Sequence, residues 1–277
     1  MADTILITNQ RPGCIAIGQT GEICKVNESC VVKYPKTFPG DSAYNELRLY
    51  LMAIERRIYE RLGPLEGILA YYGPGDESGA IELAYASQGD LGAYISAHAM
   101  PSSQFRTTWI RSLVNAFYHI YSCKVLHQDV KLNNIFVDNH LLKIADFANG
   151  AIFPLNTDME TIYMQDPLAR VDLLGIGCVI YSIAAWNPYS YDYFEEERWP
   201  RPDEVPVTDG LIYKKIIDKC WRNEYHSVRS LYEDLQQLDI KKCAPEENVL
   251  PRVDFILWFC FVPSLLFISG RMLLLRS

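Results

Sequence analysis

Between His127 and Gly150 the chain reads HQDVKLNNIFVDNHLLKIADFANG and gathers side chains that can do chemistry. Asp129 follows His127 by two residues, Lys131 comes two later and Asn134 five later, and Asp146 opens Asp146-Phe147-Ala148 twelve beyond Asn134. Two apolar runs lie between, Ile135 to Val137 and Leu141 to Ile144, joined by Asp138-Asn139-His140. Strand-like runs around a turn-forming trio predict a hairpin. Asn134 stands at its start and Asp146 just past its end, so the two can converge. Carboxylate and amide oxygens suit Mg²⁺, a hard cation that shares its ligands between protein and phosphate groups.

Elements able to position these groups are legible on both sides. Trp109, Leu113, Phe117, Ile120 and Tyr121 recur at helical spacing and deliver the chain into Val125-Leu126-His127, a core helix rather than a cofactor box. Val171 to Cys178 begins another apolar helix. Ile216, Ile217, Cys220 and Trp221, then Val228, Leu231, Leu235 and Leu238, supply two more. The segment from Gly150 to Arg170 is read as irregular. Upstream, Cys14 to Ile17, Ile23 to Val26 and Ser29 to Tyr34 read as three short strands. Leu47, Leu51, Ile54, Ile58 and Leu62 form one helical stripe that Gly63-Pro64 ends, with Glu55 on its margin. Gly67 to Tyr72 and Ala80 to Ala84 are two further strands around a turn-rich stretch.

The spacing of His127, Asp129, Lys131, Asn134 and Asp146 closely resembles the H-R-D-x-K-x-x-N and D-F-G elements of eukaryotic protein kinases. The resemblance implies an α+β, bilobal protein-kinase-like fold with a small β-rich N-lobe and a larger helical C-lobe. Residues 12–240 would be the kinase domain, with the N-lobe at about 12–84, the hinge at about 84–90 and the C-lobe at about 91–240. Residues 1–11 would be an N-terminal tail and 241–277 a C-terminal tail.

The resemblance also implies ATP and Mg²⁺ as cofactors and assigns roles residue by residue. Asp129 would orient the attacking hydroxyl and accept its proton, with Lys131 near the γ-phosphate and Asn134 and Asp146 as metal ligands. Val31-Val32-Lys33 resembles the strand whose Lys holds the α and β phosphates, and Glu55 its helix partner, with Glu46 and Glu60 as rivals. Ala16-Ile17-Gly18-Gln19-Thr20-Gly21-Glu22-Ile23 aligns with G-x-G-x-x-G-x-V. It keeps Gly18, Gly21 and an apolar Ile23, and puts Ala16 in place of the first Gly, whose backbone would approach the phosphates. Leu83 would be the gatekeeper, and the backbones of Ala84 and Ala86 would meet the adenine edge. Asp90 reads equally as a ribose contact and as a plain helix N-cap. His127 is assigned to packing, and Asp172 to bracing the catalytic loop.

Several positions depart from the pattern. Gln128 replaces the Arg that clamps a phosphorylated activation loop, and Ala148 replaces the DFG Gly. Asp172 follows Asp146 by only 26 residues, with no A-P-E between them, although Glu160 falls near its place. The leading reading is phosphoryl transfer to a hydroxyl of an unidentified protein substrate, of serine/threonine type because Lys131 stands where tyrosine kinases differ. A pseudokinase or scaffold module is the alternative, and a small-molecule phosphotransferase the third reading. Asp146-Phe147-Ala148, the shortened hairpin before Lys33 and the Ile58 to Pro64 run resemble a divergent group of kinase-like proteins of filamentous fungi.

Bulk properties narrow the partners. The 277 residues are 49% hydrophobic with a formal net charge of −8 and no Lys/Arg-rich run, which speaks against nucleic acid. Eight cysteines show no C-x-x-C spacing and read as reduced thiols, so a cytoplasmic kinase domain is expected. Met1 to Gln10 lacks the features of a secretory signal. Phe255 to Gly270 is an uncharged apolar stretch broken by Pro263, read as a C-terminal membrane anchor, a helix packed on the domain or a disordered chain end. At ~1.5 Å per residue it spans ~24 Å, against ~30 Å of hydrocarbon.

Overall fold

Five short strands, β1 (Cys14–Ile17), β2 (Gly21–Lys25), β3 (Cys30–Pro35), β4 (Tyr71–Pro74) and β5 (Ile81–Ala84), form one antiparallel sheet in the order β1-β2-β3-β5-β4. The computed structural model describes residues 11, 13–18 and 20–243. Residues 1–10 of the expected N-terminal tail, and the apolar stretch 255–270, lie outside the described residues. Ile23 pairs with Lys33 and Lys33 with Ile81. Directly opposed residues share a face, so the Lys33 stem runs between two apolar neighbours.

Helix α1 (Ser42–Leu62) starts where Asp41 accepts the Tyr44 N–H at 2.9 Å, and stops at Gly63, whose φ of 64° only glycine adopts easily. Its buried face is Met52, Glu55, Ile58, Tyr59 and Leu62. That face is rotated from the apolar stripe in the sequence. Leu47 is exposed and Glu55 is central, because an ion pair lets a carboxylate occupy a core position. The expected strand from Gly67 to Tyr72 also shifts. Residues 67–69 bond instead to Ile144, with Leu69 N donating to Ile144 O and Ile144 N to Gly67 O, both at 2.9 Å, and β4 begins only at Tyr71.

The helical half is built on α2 (Leu91–Ala97), α3 (Ser103–Ser122), α4 (Met159–Gln165), α5 (Val171–Ala185), α6 (Tyr193–Glu196), α7 (Lys214–Trp221) and α8 (Val228–Cys243). Two strand pairs complete it, β6 (Val125–Leu126) with β9 (Ala151–Ile152), and β7 (Ile135–Asp138) with β8 (Leu141–Ile144). Asn139 and His140 both have positive φ, the mark of a tight two-residue hairpin turn. Helix α4 replaces the irregular segment expected after Gly150. Asp158 caps it and it buries only Met159 and Tyr163, too few positions for periodicity to show.

Helix α5 is apolar all round and buried along nearly its whole length. The span Pro167–Ala185 is long and apolar enough to cross a membrane, but most of it is enclosed by the fold, as for a core helix. Its glycines allow close approach: a Cβ on Gly177 would meet the Cys220 Cβ at 2.5 Å, and one on Gly175 would collide with the Val130 carbonyl oxygen. Val130 follows Asp129 directly. Gly175→Ala is therefore expected to cost about 1–3 kcal/mol by overpacking, read as a lower urea midpoint at unchanged m-value, and to slow any reaction that uses Asp129.

Candidate active site

The loop after β6 is held from below by Asp172 on α5. Its carboxylate accepts the His127 N–H at 2.8 Å and the Gln128 N–H at 2.6 Å. Burial pushes the Asp172 carboxyl upward, and His127 together with the two backbone N–H groups opposes this. Gln128 has φ 60°, a left-handed conformation rare for non-glycine residues, and the two bonds hold the backbone there. His127 is itself buried; one ring nitrogen lies 3.1 Å from the Ala145 carbonyl oxygen and the other accepts the Asp129 N–H at 3.3 Å. Its packing role is thus visible as a brace between the two ends of the hairpin.

Above this base stand the groups singled out by spacing. The Asn134 amide donates to the Asp129 main-chain oxygen at 2.9 Å and to its carboxylate at 3.0 Å. Lys131 Nζ lies 2.8 Å from the other Asp129 oxygen. The Ala145 N–H bonds to the Asn134 carbonyl at 2.9 Å, which brings Asp146 alongside Asn134. Because the Asn134 nitrogen is committed to Asp129, its side-chain oxygen remains to pair with a cation. With the Asp146 carboxylate this makes a hard-oxygen donor set that fits Mg²⁺. Among the described residues no group of three or more His, Cys, Asp or Glu gathers as a metal cage.

Lys33 joins the lobes. Its Nζ lies 2.7 Å from Glu55 Oε2 and 2.8 Å from Asp146 Oδ1, and neither Lys33 nor Glu55 reaches solvent appreciably. Burial works against the ammonium, but Glu55 and Asp146 outweigh it and raise its proton affinity above that of an ordinary lysine. Burial also works against the Asp146 carboxylate. There Lys33 wins, and the group lies below the usual aspartate range. For Glu55 burial is the larger effect and pushes the carboxyl upward against the pull of Lys33. Of the three rival glutamates on α1, Glu55 is the one in contact with Lys33. Glu60 instead pairs with Arg56 at 2.8 Å on the surface.

A column of rings fixes this geometry. Tyr71 stacks on Tyr59 at 5.7 Å, Tyr59 meets Phe147 edge-on at 5.1 Å, and Phe147 packs on His127 at 4.9 Å. Phe147 is wholly buried, and Asp146 beside it has φ 62°. Ala148 is also buried and is not among the positive-φ residues, so the methyl group in place of the DFG Gly is accommodated here without backbone strain.

The nucleotide hairpin is only partly as expected. A Cβ on Gly21 would come within 2.6 Å of the Tyr34 carbonyl oxygen, so glycine is required there. At Gly18 it would make only an ordinary 3.6 Å contact, and the Gly18 N–H is used inside the turn, bonding to Gly21 O at 2.8 Å. Ala16 is an exposed β1 residue paired with Ile23. Leu83 and Ala86 are buried at the hinge. The Ala84 N–H is taken by the Ala70 carbonyl at 2.8 Å, which leaves only its carbonyl for a ligand. Asp90 caps α2, accepting the Ala93 N–H at 3.0 Å, which is the helix-cap side of its two readings.

Other contacts carried no sequence signal. Asn149 donates to the Asp129 carboxylate at 3.3 Å, from a position no motif marks. Glu160 accepts from Tyr121 Oη at 2.6 Å and Ser227 Oγ at 2.8 Å, with Arg229 Nε at 3.8 Å, so α4 is clamped to α3 and to the start of α8. The A-P-E spacing hinted at Glu160; its partners could not be foreseen. Beside Asp129 a groove of about 1010 Å³ opens, lined in part by Lys131, Asn149, Leu174, Gly175 and Tyr193. Leu174 and Gly175 of α5 form part of its wall.

Residues 18–244 match the protein kinase domain family, most of the chain. The chain is 35% identical over 82 residues to NUAK family SNF1-like kinase 2 of Homo sapiens, covering 29% of this chain and 13% of that protein. It is 33% identical over 131 residues to NUAK family SNF1-like kinase 1 of Mus musculus, covering 42% and 20%. Over 221 residues it is 22% identical to serine/threonine-protein kinase PDK1 of Cryptococcus neoformans, covering 72% and 16%. The chain thus spans a fifth or less of the length of each of these relatives. With Lys33, Glu55 and Asp146 in one ion cluster, Asp129 and Asn134 bonded beneath it, and the family match running through both lobes, the chain belongs to the protein kinase family and has its α+β bilobal fold.

Proposed function

We propose that this chain transfers the γ-phosphoryl group of ATP to a protein hydroxyl of the serine/threonine type, with residues 12–240 as the catalytic unit. The observation that carries the reading is the Lys33 bridge between Glu55 and Asp146 at 2.7 and 2.8 Å, assembled over a bonded Asp129 and Asn134. ATP supplies the phosphoryl group, and Mg²⁺ offsets the charge that spreads over its oxygens. Lys33 binds the α and β phosphates and is oriented by Glu55. Asn134 and Asp146 hold the metal. Asp129 orients the attacking hydroxyl and takes its proton, while Lys131 stands beside the γ-phosphate. Ile23 and Leu83 enclose the base, the backbones of Ala84 and Ala86 meet its edge, and Gly21 lets the hairpin lie close to the phosphates. The groove beside Asp129 receives the acceptor segment.

The narrower placement among divergent kinase-like proteins of filamentous fungi rests on Asp146-Phe147-Ala148, the short hairpin and the Ile58 to Pro64 run. We also assign the catalytic unit to the cytoplasm, which suits cysteines that form no disulfide among the described residues, and the apolar stretch 255–270 to membrane association.

Mg²⁺ with ATP at 100 times the dissociation constant is expected to raise Tm by about 5–10 °C, and Asp146→Asn to abolish that shift. Absence of a shift in the intact protein sinks the nucleotide reading. A second reading, a nucleotide-binding scaffold without transfer, is favoured by the Gly18 N–H closed within its own turn. Labelled phosphate moving from ATP to the chain itself or to a generic acceptor protein excludes it. An acceptor screen that finds small alcohols labelled and proteins not labelled would replace the protein substrate with a small molecule.

A further inference from the structure

The β1–β2 hairpin carries two cysteines directly across from each other, Cys14 on β1 and Cys24 on β2. Opposed residues of an antiparallel pair have Cα atoms about 4.5–5.5 Å apart and side chains on one face, inside the ~4.4–6.8 Å range a disulfide needs. We propose that Cys14 and Cys24 are a modification site, oxidised reversibly by peroxide to a cross-strand disulfide that staples the hairpin carrying Gly18 and Gly21.

The pair is asymmetric in the way such a site requires. Cys14 is half-buried and within reach of solvent, whereas Cys24 is only 6% exposed. The two thiols already interact: burial first, then the contact with Cys14, pushes the Cys24 thiol up to about 11. Cys14, the more exposed of the two, is the group that meets the oxidant. Among the described residues no other cysteine stands opposite in the sheet, since Cys24 faces Val32 on β3 and Cys30 faces Ala84 on β5.

The chemistry balances. Cys14 thiolate attacks one peroxide oxygen, the O–O bond breaks, and hydroxide leaves with a sulfenic acid on Cys14. The Cys24 sulfur then attacks that sulfur, losing its proton as water departs. Two thiols and hydrogen peroxide become one disulfide and two waters, and a dithiol reverses the change. Transient, redox-sensing disulfides of this kind occur in reducing compartments.

The full chain is treated with hydrogen peroxide, remaining thiols are alkylated, and peptides are mapped by mass. The expected result is one linked Cys14–Cys24 peptide, reversed by dithiothreitol and still formed in Cys30→Ser. Closing a loop of about ten residues should also raise Tm by roughly 5 °C, a rise absent from Cys14→Ser, which alters only the accessible partner. Full alkylation of both thiols after peroxide overturns the proposal, as does Cys14 carried to sulfinic acid or linked to another cysteine. None of these readouts involves nucleotide.

Discussion

Asp129→Asn is expected to lower phosphoryl transfer by about 10²–10⁴-fold while the stabilisation by Mg²⁺ and ATP persists. The substitution keeps the shape of the side chain and removes its charge and its capacity to take a proton. Asp129 lies between Lys131 Nζ at 2.8 Å and the Asn134 amide at 3.0 Å, with Asn149 at 3.3 Å, so it is oriented from three sides and contacts neither Lys33 nor Asp146 in these bonds. Lys33 and Asp146 therefore remain in place, and Asn134 keeps its 2.9 Å bond to the main-chain oxygen of residue 129. Transfer from labelled ATP, wild type against variant, measures the effect, with the thermal shift as the control for binding. A variant that transfers phosphate at the wild-type rate would remove Asp129 from the chemistry. Loss of the thermal shift as well would mean that Asp129 supports the metal site rather than the acceptor.

Lys33→Met should cost about 3–5 kcal/mol at neutral pH, because it leaves the fully buried Glu55 without a counter-charge. The pH dependence gives the loss its signature. In the wild type the Asp146 carboxyl is held below its ordinary value of 3.8, so its contribution is present above that value and is lost as pH falls through the depressed one. Lys33 contributes below its ordinary 10.5 and loses that contribution only as pH rises through its raised value. Take the lysine away and burial, joined by the Asp146 charge, pushes Glu55 further up against the Phe147 backbone N–H alone, from a carboxyl that already sits above its ordinary 4.5. The neutral form then suits the core, so the variant is most stable below that value and weakens as pH rises through the raised one. The deficit against wild type should widen from acid towards neutral pH in urea denaturation. Equal deficits at both ends would show that Glu55 is not the source. Adding Glu55→Gln to Lys33→Met should recover part of the loss, since an amide avoids the buried charge.

Much of this could be read without a structure. The hairpin between Asn134 and Asp146 is local: a two-residue turn joins alternating apolar runs, and neighbouring residues decide it. Helices α3, α5, α7 and α8 likewise announce themselves through long apolar patterns. Helix α4 does not, because its two buried residues make no period, and α1 misleads, because Glu55 counts as polar in any pattern until Lys33 is seen beside it. Asp90 shows the limit differently. One residue type serves a helix cap and a ribose contact, and only the 3.0 Å bond to Ala93 says which bond it makes here.

The sequence by itself determined the residue types, their spacing along each element and so the chemistry available, because turns, caps and amphipathic faces are settled by residues a few positions apart. The tertiary structure alone decided that Glu55 occupies a core position, that glycine is required at Gly21 but not at Gly18, that Asn149 reaches Asp129, and that Glu160 ties α4 to Tyr121 and Ser227. Each of these depends on a partner brought close by packing from a distant part of the chain, and no local pattern specifies who that partner is.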